Sequence, residues 1–287
     1  MELIYSVETI KPYFVNACVF IIGTIWGSFL NVCIYRIPEG KSLVLPPSTC
    51  KCGERIPFYF NLPVIAWFIL KGKAACCDEK LSFRYPLVEA LTGALFVCVW
   101  LTHEPTVALI GMAFIAILIA SAFIDLDHMI IPDIFSIGGM LLGVTLSIII
   151  PELHGFSQGG LATHFYAWIE AMLGVFIGTS MIYWIATLGE IILKKPAMGE
   201  GDVKFLAAIG AFTGWQGALF SLFGGAFIGT IIILPYLLIQ QLKNSEEQKL
   251  QELPFGPFLA LGAIVYFLWL SHFVDAYFTQ ILDIFTL

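Results

Sequence analysis

Residues 106–126 read TVALIGMAFIAILIASAFIDL, an apolar run with one charged residue, Asp125. A helix of about 20 apolar residues spans the hydrocarbon core of a bilayer, so this run predicts a transmembrane helix. Comparable runs lie at 12–35, 86–102, 134–150, 164–193, 215–241 and 257–274, with a shorter one at 203–213. The sequence therefore predicts an all-α polytopic integral membrane protein with about eight transmembrane helices.

The composition excludes several other classes of protein. Of the 287 residues, 12% are charged and 59% are apolar, and the mean hydropathy is +0.90. A soluble domain carries about a quarter charged residues, so this chain lacks the polar surface that water requires. A net charge of -7 with 14 basic residues also argues against a nucleic-acid partner. Because the chain starts with Glu2 and Glu8 rather than basic residues, we expect a retained first helix and no cleaved signal.

The basic residues predict the orientation in the membrane. If eight spans alternate across the membrane, all the basic residues except Lys11 fall on the same face of the membrane. The residues that share a face are Arg36, Lys41, Lys51, Arg55, Lys71, Lys73, Lys80, Arg84, Lys194, Lys195, Lys204, Lys243 and Lys249. Basic connections stay in the cytoplasm, so we expect segment 36–85 to be a cytoplasmic loop after the first helix, with both termini facing outward.

Two clusters of acidic residues lie at the predicted cytoplasmic level. The first follows the third span and contains Asp125, Asp127 and Asp133, of which Asp125 is still flanked by apolar residues. The second is Gly199-Glu200-Gly201-Asp202, where two glycines allow close backbone approach and Asp202 opens a helix. A helix N-cap is the alternative role for Asp202.

If Asp125 and Asp202 meet, they form an acid and base pair. Two carboxylates held close together cannot both ionise readily, so one keeps a proton near neutral pH. Such a pair can activate water while it protonates a carbonyl, which is the chemistry of an aspartyl protease. We therefore expect hydrolysis of a peptide bond at the inner surface of the membrane. For Glu89, Glu170 and Glu190, which lie in or near spans, an interhelical contact and a mechanistic role both stay open.

Six short motifs, in order along residues 27–257, carry a family resemblance. They are Gly27-Ser28-Phe29-Leu30-Asn31-Val32, Tyr35-Arg36-Ile37-Pro38, Arg84-Tyr85-Pro86-Leu87-Val88-Glu89, the block from Asp125 to Asp133, Gly199-Glu200-Gly201-Asp202 and Pro254-Phe255-Gly256-Pro257. As a set they resemble the type IV prepilin peptidases, bacterial enzymes that remove the leader from type IV prepilins and type II secretion pseudopilins. The resemblance implies a GxGD-type aspartic protease of the bacterial cytoplasmic (inner) membrane, with Asp125 and Asp202 as its catalytic pair. The supporting residues it implies are Asp127, Asp133, Gly199, Gly201 and Lys204.

The same resemblance implies a second activity, N-methylation of the new pilin N-terminus with S-adenosylmethionine as the methyl donor. The sequence by itself shows no glycine-rich strand-to-helix fingerprint of the Rossmann kind. By resemblance, methylation is assigned to the first cytoplasmic loop. The expected domains are residues 1–35 as the first transmembrane helix, 36–85 as the loop, and 86–287 as the transmembrane aspartic peptidase.

Four cysteines lie in this loop, at Cys50, Cys52, Cys76 and Cys77. The family pattern is two Cys-x-x-Cys pairs, a common arrangement for tetrahedral zinc. This sequence departs from the pattern, because its first pair is one residue short and Ala74 stands where a cysteine is expected. We expect a structural zinc on the four thiols, and the alternative is a set of reduced cytosolic thiols without a metal.

Two other functions fit parts of the sequence. An ion-coupled transporter also uses acids inside the membrane and helices broken at glycine. An intramembrane protease of the presenilin type shares the Gly-x-Gly-Asp element. The first predicts ion flux without cleavage, and the second predicts a cut within a transmembrane segment.

Overall fold

A computed structural model describes residues 2–45, 47, 50, 52–55, 57, 62–77, 79–156, 159–194, 198–242 and 253–286. The side chains of 2–11, 236, 237, 239–242 and 281–286 are not described. Within the described ranges the regular elements are helices, apart from one isolated antiparallel bridge between Lys73 and Lys80. The all-α prediction is confirmed. Four of the lysines used to orient the chain, Lys51, Lys195, Lys243 and Lys249, lie outside the described residues.

The helices follow one another closely along the chain. They are α1 (Glu2–Arg36), α2 (Ile65–Ile69), α3 (Arg84–Thr102), α4 (Pro105–His128), α5 (Asp133–Ile149), a 3₁₀ turn (Pro151–His154), α6 (Leu161–Leu193), α7 (Glu200–Leu242), α8 (Gly256–Val265) and α9 (Ser271–Thr286), with a π-helical turn at Tyr266–Leu270. Six helical stretches of the described chain are long and apolar enough to cross a membrane: Pro12–Arg36, Arg84–Thr102, Pro105–His128, Leu161–Leu193, Glu200–Pro235 and Gly256–Gln280. A shorter apolar helix spans Asp133–Ile149. This is the architecture of a multi-pass membrane protein.

Helix α7 is broken at Gly214, where φ is 70° and ψ is −176°. The sequence predicts the end of a short helix at this point, and the non-helical backbone confirms it. The first piece, 200–213, measures about 21 Å, which is less than the roughly 30 Å of the hydrocarbon core. Split here, α7 completes the predicted set of eight apolar segments, while the number that cross the bilayer stays a prediction. Glu170 and Gln216 form a hydrogen bond beside the break, an interhelical polar contact.

The chain folds as two compact units, residues 1–120 and 121–287. In the first unit, α1 and α3 touch backbone to backbone. A Cβ atom built on Gly23 would lie 2.7 Å from Cα of Gly93, and one built on Gly27 would lie 2.6 Å from Cα of Glu89. Glycines four residues apart allow this close approach of two membrane helices.

In the second unit, α5 and α6 pack against the first piece of α7, and α8 packs against the piece after the break, where a Cβ on Gly225 would lie 2.6 Å from the carbonyl oxygen of Phe258. Phe205, Leu206 and Ile209 of the first piece are fully buried. Helices α6 and α7 meet at Gly174 and Gly210, since a Cβ on Gly174 would lie 2.1 Å from the carbonyl oxygen of Gly210. This packing holds the start of α7 in a fixed place. The predicted functional boundary at residue 86 stays a prediction.

Candidate active site

Asp125 lies in the last turn of α4 and is only 5% exposed. Its Oδ2 accepts a hydrogen bond of 3.0 Å from the backbone amide of Gly256, the first residue of α8. The partial positive charge of a helix N-terminus favours a carboxylate at this position. A Cβ on residue 256 would lie 2.6 Å from the same oxygen, so any larger residue would displace the carboxylate.

Asp202 lies in the first turn of α7 and is 8% exposed. Because α7 begins at Glu200, Asp202 is inside the helix and is not its N-cap. Its backbone amide donates to the carbonyl oxygen of Gly199 over 3.2 Å. A Cβ on Gly199 would lie 3.7 Å from Oδ2 of Asp202, and one on Gly201 would lie 3.4 Å from the backbone nitrogen of Ile131. Gly201 therefore lies in contact with the α4–α5 connection at the start of α7.

Ile131 joins the two halves of this arrangement. Its side chain packs against Gly256, where a Cβ would lie 3.0 Å from Cδ1 of Ile131, and against Gly201. The Asp125 and Asp202 carboxylates lie close enough for their charges to interact directly. The predicted pair of carboxylates is thus brought together in one buried site of the second unit, from helices α4 and α7.

The supporting residues named from the sequence surround the pair unequally. Lys204 Nζ lies 2.9 Å from Oδ1 of Asp133 and ties the start of α7 to the start of α5. Both side chains of this ion pair are substantially exposed, at 41% and 62%. Asp127 lies on the exposed last turn of α4. The chain turns sharply after it at Met129, whose φ is 54° and whose amide donates to the carbonyl oxygen of Asp125.

Sequence reasoning assigned no role to two further groups near Asp125. The amide of Gly256 was visible only as part of a motif, and a glycine between prolines at a helix start is the signal that could have identified it. Ser121, one turn before Asp125 on α4, is fully buried. Its hydroxyl is the one buried side-chain polar atom without a hydrogen-bond partner in the described part of the chain. No sequence signal marks Ser121.

The four loop cysteines come together in the first unit. All four sulfur atoms lie within 4.8 Å of one another, with 3.3 Å between Cys50 and Cys77 and 3.3 Å between Cys52 and Cys76. These thiols are not bonded to each other. Zinc–sulfur bonds of about 2.3 Å in a tetrahedron separate the sulfur atoms by roughly 3.8 Å, so the cluster fits a zinc ion.

Two tight turns place these cysteines face to face. In one, Gly53 donates to the carbonyl oxygen of Cys50, and the amide of Cys50 donates to that of Glu54. In the other, Ala74 donates to Glu79 and Leu81 donates to Gly72, which puts Cys76 and Cys77 at the tip of a small hairpin. Ala74, the position of an expected cysteine, thus serves the hairpin, and the adjacent thiols at its tip complete the set.

The thiols also differ in acidity. A hydrogen bond from the backbone of Cys52, followed by hydrogen bonds from Cys76 and Cys77, lowers the pKa of Cys50 to about 7. Hydrogen bonds to Cys50 and Cys52 raise the pKa of Cys76, because its thiol acts as the donor. A thiolate is the form that binds a metal, so the lowered pKa favours Cys50 as a ligand near neutral pH.

Two family models match the chain, one after the other. The bacterial peptidase A24 N-terminal domain matches residues 21–103, and the type IV leader peptidase family matches residues 112–234. No solved structure matches the chain.

Named relatives cover most of the chain. The prepilin leader peptidase/N-methyltransferase of Aeromonas hydrophila is 32% identical over 98% of this chain and 100% of its own length. The protein of the same name from Myxococcus xanthus is 35% identical over 75% of this chain, and the match spans 62% of that protein. The type 4 prepilin-like proteins leader peptide-processing enzyme of Escherichia coli O78:H11 is 36% identical over 84% of this chain and 89% of its own length.

Proposed function

Because the chain belongs to the type IV leader peptidase family, we propose that it is an aspartic endopeptidase of the bacterial inner membrane. Its substrates are type IV prepilins and type II secretion pseudopilins, from which it removes the basic leader. The observation that carries this proposal is the meeting of two buried carboxylates, Asp125 and Asp202, at the ends of two helices.

The catalytic step is assigned to this pair. Close carboxylates share one proton, so one acts as a base and the other as an acid. The base takes a proton from water as the water oxygen attacks the peptide carbonyl, and the acid gives its proton to the carbonyl oxygen. As the tetrahedral intermediate collapses, the C–N bond breaks, one of its hydroxyls returns a proton to the acid, and the proton held by the base passes to the leaving amine. The Gly256 amide fixes Oδ2 of Asp125 throughout, which leaves Oδ1 for water or substrate.

The supporting residues shape the surroundings of the pair. Gly199 and Gly201 leave space for an extended substrate backbone beside Asp202, since neither carries a side chain. The ion pair of Lys204 with Asp133 holds the start of α7 against α5. The active site faces the cytoplasm and both termini face outward, so that the basic leader of a prepilin reaches the site from the inner side.

The second proposed activity is N-methylation of the new pilin N-terminus, with S-adenosylmethionine supplying the methyl group. We assign this activity to loop 36–85, between the first transmembrane helix (1–35) and the peptidase domain (86–287). Zinc, held by Cys50, Cys52, Cys76 and Cys77, would supply structural stabilisation of the loop. The carboxylate chemistry does not require this metal, because Asp125 and Asp202 belong to the other compact unit.

Mass spectrometry of a synthetic prepilin incubated with the purified full-length chain tests both activities. Cleavage at the boundary between leader and apolar helix, with a mass increase of one methyl group only when S-adenosylmethionine is added, supports the proposal. A cut several residues inside the apolar segment would favour a presenilin-type protease. Ion flux in liposomes without cleavage would favour a transporter.

A further inference from the structure

A third buried carboxylate, Glu89, lies outside the proposed peptidase site. It is in the second turn of α3 and is 9% exposed. One of its oxygens accepts a hydrogen bond of 2.7 Å from the backbone amide of Val64. The side chains of Ser28 and Asn31, both on α1, also hydrogen-bond to this carboxylate. The Glu89 carboxylate therefore accepts hydrogen bonds from both α1 and the loop, and all of these partners belong to the first unit.

The backbone around Glu89 leaves the carboxylate little freedom. Gly27 of α1 packs directly on Cα of Glu89, where a Cβ would lie at 2.6 Å. One turn further on, the buried hydroxyl of Thr92 donates to the carbonyl oxygen of Val88. Asn31 is itself held by a hydrogen bond of 3.1 Å to the carbonyl oxygen of Tyr85. Helices α1 and α3 thus present the carboxylate at one defined place.

Val64, the residue bound by Glu89, has a strained backbone. Its φ is 62° and its ψ is −54°, and the amide of Ile65 donates to the carbonyl oxygen of Pro63. This is a γ-turn with positive φ at its centre, which is rare even for flexible residues and costly for a β-branched one. Such strain persists only where the surroundings enforce it, and it is concentrated at functional positions. The Glu89 carboxylate is the group that the structure places on the amide of this turn.

The strained turn controls the segment that follows it. Helix α2 begins at Ile65, and its Trp67 donates from Nε1 to the carbonyl oxygen of Leu81 over 3.2 Å. The same ring packs edge-on against Phe83 with 5.4 Å between centroids. The hairpin that carries Cys76 and Cys77 lies in the chain segment that follows Trp67, and both contacts close this segment at its far end. Glu89 at one end and Trp67 in the middle therefore set the position of half of the cysteine cluster relative to α1 and α3.

We propose that Glu89 is a positioning residue for methyl transfer. By holding the Val64 turn in its strained form, the carboxylate docks loop residues 62–83 on α1 and α3 in the arrangement that methylation requires. This inference rests on the proposed methyltransferase function of the loop. We expect peptide cleavage not to depend on Glu89, because the proposed catalytic residues Asp125 and Asp202 belong to the other unit.

The first test compares Glu89→Gln with the wild type and with Glu104→Gln, an exposed glutamate after the same helix. The substitution keeps the size of the side chain but removes the charge, and its amide group faces donors instead of acceptors. We expect kcat/KM for methylation of a cleaved synthetic pilin to fall about tenfold or more, while kcat/KM for prepilin cleavage stays within about twofold. Glu104→Gln should leave both unchanged. An equal loss of cleavage and methylation, or no loss of either, would overturn the proposal.

The second test separates positioning from simple stabilisation. Val64→Gly removes the strain, since glycine adopts positive φ without a penalty. We expect this substitution to restore a substantial part of methylation in the Glu89→Gln background, because the turn then no longer needs the carboxylate. A double variant as inactive as Glu89→Gln alone contradicts the proposed role.

Hydrogen exchange of residues 62–83 provides a readout that does not depend on methylation. In wild type the Val64 amide should be protected, and in Glu89→Gln it should exchange at least about tenfold faster. If the wild-type chain does not methylate, the proposed function fails, whereas the exchange comparison still decides the role of Glu89. Equal protection of Val64 in the two proteins would refute that role.

Discussion

The amide of Gly256 donates a 3.0 Å hydrogen bond to Oδ2 of Asp125, a residue 131 positions earlier in the chain. Helix α8 thus begins at the carboxylate in the last turn of α4, and one oxygen of this proposed catalytic aspartate has a fixed partner. The contact depends on the absence of a side chain at 256, because a Cβ there would come within 2.6 Å of Oδ2.

Gly256→Ala should therefore inactivate the peptidase without unfolding it. Displacement of a catalytic group by about 1 Å can cost on the order of 100-fold in rate, and we expect a loss of that size in kcat for prepilin cleavage. Gly138→Ala is the matched control, because the nearest atom to its added Cβ lies at 3.9 Å. Cleavage by Gly256→Ala at the wild-type rate would show that the hydrogen bond has no catalytic importance.

Asp125→Asn and Asp202→Asn should each abolish cleavage, since either change removes a carboxylate that must exchange protons. Asp127→Asn and Asp133→Asn, which alter exposed side chains, should cost much less. Peptide mass spectrometry measures the product, and circular dichroism in detergent reports whether each variant is folded. Full activity in either of the first two variants contradicts the assignment of the pair.

Ser121 and Ser147 should respond in opposite ways to replacement by alanine. Ser121 buries a hydroxyl that has no hydrogen-bond partner among the described residues. Its desolvation is not offset by a hydrogen bond, so Ser121→Ala should leave the melting temperature unchanged or raise it. Ser147 donates to the carbonyl oxygen of Gly143 and lies 2.8 Å from Nε2 of His154. Ser147→Ala should cost about 1 kcal/mol, because it removes one hydrogen bond of the buried histidine, which also bonds to the backbone of Ala211. Thermal unfolding in detergent measures both, and equal destabilisation would disprove the distinction.

His154 should make the stability of the second unit pH-dependent. Burial lowers the pKa of His154 to about 4, below the 6.5 of a free histidine. The folded protein therefore holds the ring neutral, whereas the unfolded chain binds a proton below pH 6.5. Stability from this group is complete above about pH 6.5 and is lost as the pH falls toward 4. The drop in melting temperature between pH 7 and pH 5 should be smaller in His154→Gln than in wild type, and an equal drop would exclude the histidine as its cause.

Metal removal should affect the two proposed activities differently. If the cysteine cluster binds zinc, chelation or the double change Cys52→Ser with Cys77→Ser should loosen the loop and impair methylation more than cleavage. The matched control is Cys98→Ser, a cysteine of α3 outside the cluster. Elemental analysis checks the premise, since less than about one zinc per four chains would leave the cysteines as ordinary thiols.

Sequence could predict two kinds of feature: a residue whose burial in the membrane costs free energy, and a motif formed by neighbouring residues. An aspartate inside an apolar run is costly, so Asp125 stood out, and a Gly-Trp pair after a short apolar run marked the break at Gly214. The contact of Gly256 with Asp125 was not predictable in the same way, because it joins distant parts of the chain through tertiary packing. The γ-turn at Val64 contains no glycine or asparagine, the residues that usually indicate a positive φ. The irregular cysteine spacing was a poor guide for a related reason, since two separate turns bring the thiols together.

The break at Gly214 gives the first piece of α7 a fixed length. About 18 Å of helix separates Gly214 from Asp202, and the close contact of Gly174 with Gly210 prevents that helix from sliding. The distance from the Asp202 carboxylate to the break and to the α6 contact is therefore set by the number of residues between the glycines and the acid. In the proposed reaction a substrate would bring its scissile bond to that fixed position, so we expect cleavage to depend on the length of the polar leader and on where the apolar helix starts.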